Sequence, residues 1–358
     1  MSQTRVFVVD DSVVYRKILI DAINSIPNVR TIGVAENGEE AIEIIPKVKP
    51  DLITLDLNMP VMDGLETLKK LHHCYPDFRA IIVSTYTEEG ASATIESLEA
   101  GALDYITKPN SNDYAHNNRL LKKQLEDIFV KFSYFKKDFY NTGAATRQKQ
   151  QFTPSRIQQR NLLYPVQPQV VAIAISTGGP NALSKLLPLF PQTYPLPILI
   201  VQHMPKLFTN TLAQSLDKTC KLSVVEAQEG MILKAGTVYL APGGFQMKVQ
   251  QRKQTNEVEI KITDDPPENH CKPSADYLFR SVAKVYRQEA VGVIMTGMGS
   301  DGILGLRLMK RHGANVIAQN KATCIIYGMP REAVEAGIVD LELPLTEIAH
   351  ELIRATER

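Results

Sequence analysis

Short apolar runs alternate with amphipathic helical spacing along most of the chain, and this alternation constrains the fold more than any other feature. In the first third the runs fall at residues 5–9 (RVFVV), 31–35 (TIGVA), 52–55 (LITL), 80–83 (AIIV) and 103–106 (LDYI). Later ones fall at 170–175 (VVAIAI), 197–201, 222–226, 237–241, 291–295 (VGVIM) and 315–319. Strands separated by helices cannot close through tight turns, so they lie parallel, with helices covering both sheet faces. The runs 247–251 and 257–263, joined by the polar QRKQTN, instead predict a β-hairpin. The expected class is α/β, with two doubly wound parallel sheets and a hairpin insertion in the second.

A length of 358 residues supports two domains, each with its own core. Residues 129–166 separate them: this stretch is rich in Gln, Lys and Arg and has no sustained apolar face, as a linker would be. The expected domains are therefore 1–128 and 167–358. A net charge of +1 gives no basis for binding nucleic acid or an anionic membrane. The aromatic and lysine residues at the start of the linker are too few to change that, and no basic recognition helix follows. No apolar run approaches the roughly 20 residues of a membrane-spanning helix. The N-terminal MSQTRVFVVDD reaches two acids too early for a signal peptide. Four scattered cysteines form no metal-spacing motif and suit reduced thiols. A cytoplasmic protein without membrane insertion is expected.

In such sheets chemistry gathers in the crevice at the strand carboxyl ends. Asp10 and Asp11, Asp56, Ser84 and Lys108 each follow a strand run of the first domain. Three carboxylates brought together require a cation, and oxygen-only ligands with an open coordination sphere suit Mg2+. The lysine adds a charge for phosphoryl oxygens. Taken singly, each acid is equally a solvated loop residue or a helix cap. As a set, these residues make 5–125 resemble the receiver domain of two-component response regulators, which has a flavodoxin-like fold. The resemblance implies that Asp56 accepts a phosphoryl group from a chemotaxis histidine kinase. It implies that Asp11, Asp56 and the Asn58 carbonyl bind Mg2+, with Asp10 acting through water. Ser84, Tyr105 and Lys108 take the switch positions.

In the second domain the run 170–175 stops at Ser176-Thr177-Gly178-Gly179, followed by Pro180 and helical spacing of Leu183, Leu186 and Leu187. Such a turn can push a hydroxyl outward beside helix N-terminal N–H groups, as an acyl-transfer serine requires, or it can be a Gly-rich loop with a capping serine. His203 and Asp301 also follow apolar strand runs. Together they supply a base and an orienting acid for Ser176. Alone, His203 is equally a loop histidine and Asp301 a cap for the helix from residue 303. His270, His312 and His350 have no comparable strand-end setting.

The motifs STGGP, QHMP, MTGMGSDG and AQNKATCIIYGMPREA recur in order across 168–355 and resemble the catalytic domain of CheB-type protein-glutamate methylesterases. With the receiver, the whole chain resembles a CheB-type chemotaxis response regulator. This implies hydrolysis of glutamate γ-methyl esters on methyl-accepting chemoreceptors, releasing methanol, together with deamidation of receptor glutamines. It implies Ser176 as nucleophile, His203 as base and Asp301 as orienting acid. Thr177, Gly178 and Met298 lie around the oxyanion, and hydrolysis needs no cofactor. The chain departs from the family pattern at Ala174-Ile175, where small residues are usual, and at Lys272, where Arg is commoner. Ile175 either crowds the turn or points into the core. It leaves open a second reading, a receiver-containing adaptor whose second domain binds partners without hydrolysis.

Overall fold

The structure is a computed structural model and describes residues 3–75, 78–109, 111, 113–141, 164 and 166–357. The chain divides into two compact units, Met1–Tyr134 and Phe135–Arg358. In the first, five strands alternate with helices: β1 (Thr4–Val9), α1 (Val13–Asn24), β2 (Val29–Ala35), α2 (Gly38–Val48), β3 (Leu52–Asp56), α3 (Gly64–Cys74), β4 (Ala80–Ser84), α4 (Glu88–Glu99), β5 (Asp104–Thr107) and α5 (Tyr114–Asn141). The sheet order is β2-β1-β3-β4-β5, with every pairing parallel. The strands β3 and β4 are buried along their whole length, as continuous apolar runs in a two-sided sheet require.

Ser12, Asn37, Asp63 and Thr87 cap the first four helices, each side-chain oxygen accepting the N–H three residues on. Each such cap contributes about 1 kcal/mol. The last helix, α5, carries regular structure to Asn141, into the stretch expected as linker. The rest of that stretch lies largely outside the described residues.

The second unit holds β6 (Val170–Ile175), α6 (Gly179–Leu186), β7 (Ile198–Gln202), α7 (Lys206–Thr219), β8 (Ser223–Glu226) and β9 (Thr237–Leu240). The hairpin β10 (Gln246–Gln251) and β11 (Val258–Thr263) comes next, then α8 (Ala275–Tyr286), β12 (Ala290–Ile294), α9 (Ile303–Arg311), β13 (Asn315–Gln319), α10 (Met329–Glu335), β14 (Leu341–Leu343) and α11 (Leu345–Arg354). Seven strands form a parallel sheet in the order β14-β13-β12-β6-β7-β9-β8, and β10 pairs with β11 antiparallel as a separate ribbon.

Both sheets are built from the middle outward. The chain enters the first at β1 and the second at β6, fills one side, then crosses over to β3 or β12 beside the starting strand. At those two places neighbouring strands send their loops in opposite directions, which opens a crevice at the carboxyl ends. The crevice of the first unit receives Asp10, Asp11 and Asp56. That of the second receives Ser176 and the loop that leads to Asp301.

The helix α8 packs its apolar face under this second crevice. Phe279 is fully buried, in one cluster with Ala174, Ala275, Leu306 and Met309. Gly305 lets α9 approach, because a Cβ there would stand 2.5 Å from Phe279 Cβ. Phe279→Ala is expected to destabilise the second unit by about 3–5 kcal/mol. Denaturant unfolding of the full chain would measure this, and a loss under about 1 kcal/mol would refute the packing argument.

Candidate functional site

The Ser176 turn is fixed from both sides. Ser176 N–H donates to the Thr296 carbonyl at 3.0 Å, at the end of β12. The Ser176 carbonyl accepts from Gln202 Nε2 at 3.0 Å, at the end of β7. One residue on, His203 N–H donates to the Ile175 carbonyl at 3.2 Å. These bonds register the exits of β7 and β12 against the serine, so the loops leaving those two strands are delivered to it.

The two glycines are required by space. Gly178 has a left-handed φ of +79°, and a Cβ on Gly179 would lie 1.7 Å from Gln202 Oε1. Among the described residues, the N–H groups of Gly178 and Met298 donate to no protein acceptor. Thr177 is buried, and its carbonyl accepts from Thr296 Oγ1 at 3.0 Å. Ile175 is 0% exposed, so its side chain belongs to the core and does not crowd the turn.

His203 Nε2 lies 2.8 Å from Asp301 Oδ2. Asp301 does not cap the helix after it: Gly302 is the N-cap of α9 and offers no side-chain bond. Its carboxylate meets the N-terminus of α8 instead, accepting the N–H of Ala275 at 2.6 Å and of Asp276 at 3.3 Å. Ser274 Oγ donates to it at 2.7 Å and Asn269 Nδ2 at 3.1 Å. Burial alone would raise this carboxyl, but the His203 bond, the Ser274 hydroxyl and the Ala275 N–H outweigh it and hold it at about 2. Burial likewise opposes charge on His203, and the hydrogen bond to Asp301, helped by the Cys271 sulfur, carries the imidazole up to about 9. The structure thus joins His203 and Asp301 directly. Ser176 stands in the same crevice, half-buried, and among the described residues its hydroxyl makes no hydrogen bond to the ring.

Several of these contacts have no local sequence signal. Ser274 caps α8, accepting from Tyr277 N–H, and its hydroxyl proton goes to Asp301. Asn269 bridges Asp276 and Asp301 from an exposed turn. Gln202 holds the serine carbonyl from beneath. Lys272 turns away to Asp264, at 2.6 Å.

In the first unit Lys108 Nζ lies 2.7 Å from Asp56 Oδ2 and 2.9 Å from Asp10 Oδ2. The Asp10 oxygen is buried and accepts no well-formed hydrogen bond. One oxygen from each of Asp10, Asp11 and Asp56 lies within 4.8 Å of the others. Burial raises the Asp56 carboxyl, Lys108 lowers it and Asp10 raises it again, leaving it at about 6. Hard oxygen donors, a buried carboxylate oxygen held by an ion pair alone and a raised acid fit a divalent cation of the Mg2+ type. Asp11 and Asn58 line an adjoining cleft with Met59, Pro60 and Asp63. Ser84 is buried and donates to the Gly90 carbonyl at 3.0 Å. Tyr105 is half-buried on β5, where burial and Asp104 push its phenol well above the ordinary range.

A phosphorylation-type acid pocket and a histidine–carboxylate pair beside a strand-end serine define a receiver-linked hydrolase. Comparison with known proteins gives the same two parts. The CheB methylesterase family model matches residues 171–352, and the response regulator receiver domain model matches 6–118. A protein-glutamate methylesterase/protein-glutamine glutaminase of Desulfotalea psychrophila is 43% identical over 363 residues, covering 100% of both chains. One of the same name from Trichodesmium erythraeum is 40% identical, covering 99% of each. The crystal structure of the Thermotoga maritima CheB methylesterase catalytic domain covers 53% of this chain and 99% of its own, at 39% identity and a TM-score of 0.51. This chain belongs to the CheB methylesterase family and carries a response-regulator receiver domain. A receiver domain brings with it, in general, a phosphorylation-linked Mg2+ site and a kinase phosphodonor. No described helix is long and apolar enough to cross a membrane.

The His203–Asp301 pair makes stability depend on pH in a defined sense. The raised imidazole stabilises fully below its ordinary value of 6.5, and the benefit fades as pH rises through about 9. The depressed carboxyl stabilises above its ordinary 3.8, and that benefit is lost as pH falls through about 2. Unfolding free energy should therefore decline by up to about 3 kcal/mol between pH 6.5 and 9. Asp301→Asn should flatten that slope; equal slopes in the two proteins would remove the coupling.

Proposed function

We propose that this chain is a phosphorylation-gated protein-glutamate methylesterase, acting on glutamate γ-methyl esters of methyl-accepting chemoreceptors and deamidating receptor glutamines. The observation that carries the site assignment is the His203–Asp301 pair, delivered by β7 and β12 to either side of the Ser176 turn. Asp301 engages Nε2, so Nδ1 is the nitrogen that takes the Ser176 proton. The serine Oγ attacks the ester carbonyl carbon. The N–H groups of Gly178 and Met298, supported by Thr177, donate to the oxyanion.

Collapse of the tetrahedral adduct breaks the bond to the methoxy group, which leaves as methanol with the proton held by His203. Water, deprotonated by His203, then hydrolyses the acyl-serine and frees the glutamate carboxylate. With a glutamine the leaving group is ammonia. Asp301 stays ionised throughout, held by its five donors, and fixes the ring orientation. With Ile175 turned into the core, nothing at this turn favours a non-hydrolysing adaptor.

Regulation is assigned to the first unit, as domain 1–128 ahead of a linker 129–166 and a catalytic domain 167–358. Asp56 accepts the phosphoryl group from a chemotaxis histidine kinase, and Lys108 neutralises one of its oxygens. Asp11, Asp56 and the Asn58 carbonyl would hold Mg2+, with Asp10 acting through water; when bound, the ion offsets the phosphoryl charge. Ser84 exchanges its bond to Gly90 for the phosphoryl oxygen, and Tyr105 reports the change. The protein works in the cytoplasm, where the receptor helices are.

Ser176→Ala should reduce methanol release from methylated receptor fragments by about 10^4-fold or more. Release within tenfold of wild type would remove Ser176 from the mechanism. Gating is a separate matter. The intact protein should be slow until a phosphodonor is added, Asp56→Ala should stay slow, and the 161–358 fragment should be fast from the start. Equal rates in all three would end the gating idea while leaving the esterase intact.

A further inference from the structure

One thiol stands in the crevice and takes no part in hydrolysis. Residues 268–271 form a tight turn in which Glu268 and Cys271 exchange backbone hydrogen bonds, at 3.1 and 2.8 Å. Both central residues, Asn269 and His270, adopt left-handed φ values of 51° and 63°. The two-residue turn with both centres left-handed is tightly defined, and non-glycine residues enter it only when the surroundings impose it.

Here the surroundings are Asp301. Asn269 Nδ2 binds it from inside the turn, and Ser274 Oγ binds it from three residues beyond Cys271. The backbone carrying Cys271 is therefore anchored to the carboxylate on both sides. One ring nitrogen of His203, Cys271 Sγ and one oxygen of Asp301 all lie within 4.8 Å of one another. Cys271 is half-buried, with its Sγ 3.4 Å from the Asn269 carbonyl.

We propose that His203, Cys271 and Asp301 form an inhibitory Zn2+ site. Imidazole nitrogen, thiolate sulfur and carboxylate oxygen are the donor set Zn2+ selects, at bond lengths of about 2.0–2.3 Å. Three protein ligands leave a fourth position for water. The hard-cation pocket of the first unit, with oxygen donors only, is of a different kind. Binding involves no change of oxidation state. The thiol proton passes to solvent, the proton His203 shares with Asp301 is released, and three metal–ligand bonds form. The carboxylate keeps Ser274, Asn269 and the Ala275 N–H as outer-shell partners that orient it. An imidazole whose lone pair is on the metal cannot take a proton from Ser176. Zn2+ therefore switches the hydrolase off, and a chelator switches it on. The inhibitory consequence rests on the esterase reading above, whereas the binding itself does not.

The test uses the full chain in excess Mg2+, which occupies the first unit's acid pocket, with Zn2+ titrated by calorimetry and Co2+ as a spectroscopic probe. Zn2+ should bind one to one and suppress methanol release reversibly, and Co2+ should give a thiolate-to-metal charge-transfer band. Cys271→Ser should retain Ser176-dependent methanol release without metal, changed only by the lost sulfur contact to His203, and lose that band. It should also weaken Zn2+ inhibition by more than the roughly 10–100-fold typical of losing an outer-shell partner. Cys74→Ser, at an exposed thiol elsewhere, should change nothing. Zn2+ inhibition of equal potency in Cys271→Ser, or Co2+ binding without the charge-transfer band, would overturn the site. If wild type released no methanol under any condition, the esterase reading would fail, while calorimetry and the Co2+ spectrum would still decide the metal site.

Discussion

The second unit depends on one carboxylate. Asp301 is 3% exposed and receives five hydrogen bonds from two stretches distant from it in sequence: the β7 exit at His203, and residues 269–276, which hold the tight turn, the Ser274 cap and the first turn of α8. A buried carboxylate without partners carries a desolvation penalty of several kcal/mol, so these segments must assemble around it together. The arrangement also uses the helix dipole. The positive end of α8 points at the acid, which favours its charged form at the place where a neighbouring imidazolium needs a counter-ion. Removing Asp301 would leave orphaned donors on both stretches, so the geometry of His203 and the fold of the 268–274 stretch depend on the same group.

The acid at the corresponding switch point of the first unit shows the opposite outcome. Asp56 is about as buried as Asp301, yet its carboxyl is raised to about 6 where Asp301 is lowered to about 2. The difference lies in the donor count. Asp56 has one lysine, shared with Asp10, one backbone N–H from Asn58, and a neighbouring carboxylate that opposes its charge. Asp301 has five donors. One fold principle thus yields an acid held ionised beside an imidazole and an acid left under-compensated, which are the states the proposed base-steadying and phospho-accepting roles require. In both sheets the placement comes from topology and the chemistry from how many N–H and O–H groups the neighbouring loops direct inward.

Much of this was legible in the sequence, for physical reasons. Buried parallel strands must be continuous apolar runs, so residues 170–175 and 52–55 announced themselves, and the polar residue ending each run marked the crevice. The polar QRKQTN between two alternating runs gave the β10–β11 hairpin. The role of Asp301 was legible only in part. Asp followed by Gly and a helical pattern suggests a cap for that helix, but the carboxylate caps α8 instead, a helix that begins 26 residues earlier in the chain. Asn269 and Gln202 carry no periodic or capping signal, because their partners are set by tertiary contact alone. The strands β8 and β9 lie side by side and parallel, an order fixed by the loop between them and not by either strand's pattern.

If His203 is the base, as proposed, its charge sets what catalysis must overcome. With the imidazole at about 9, the free base at neutral pH costs about 3 kcal/mol relative to the ion pair with Asp301. That is roughly a hundredfold in the population of the form that can take the serine proton. Nothing in the pair itself removes this cost, because the same hydrogen bond both orients the ring and keeps it charged. An event that strips the charge, such as a substrate closing the crevice and increasing desolvation of the imidazolium, would favour the neutral ring and act in the direction burial already pushes. A protonated His203 has no lone pair with which to take the serine proton. In the proposed mechanism, whatever releases that proton is what makes His203 available as the base for Ser176.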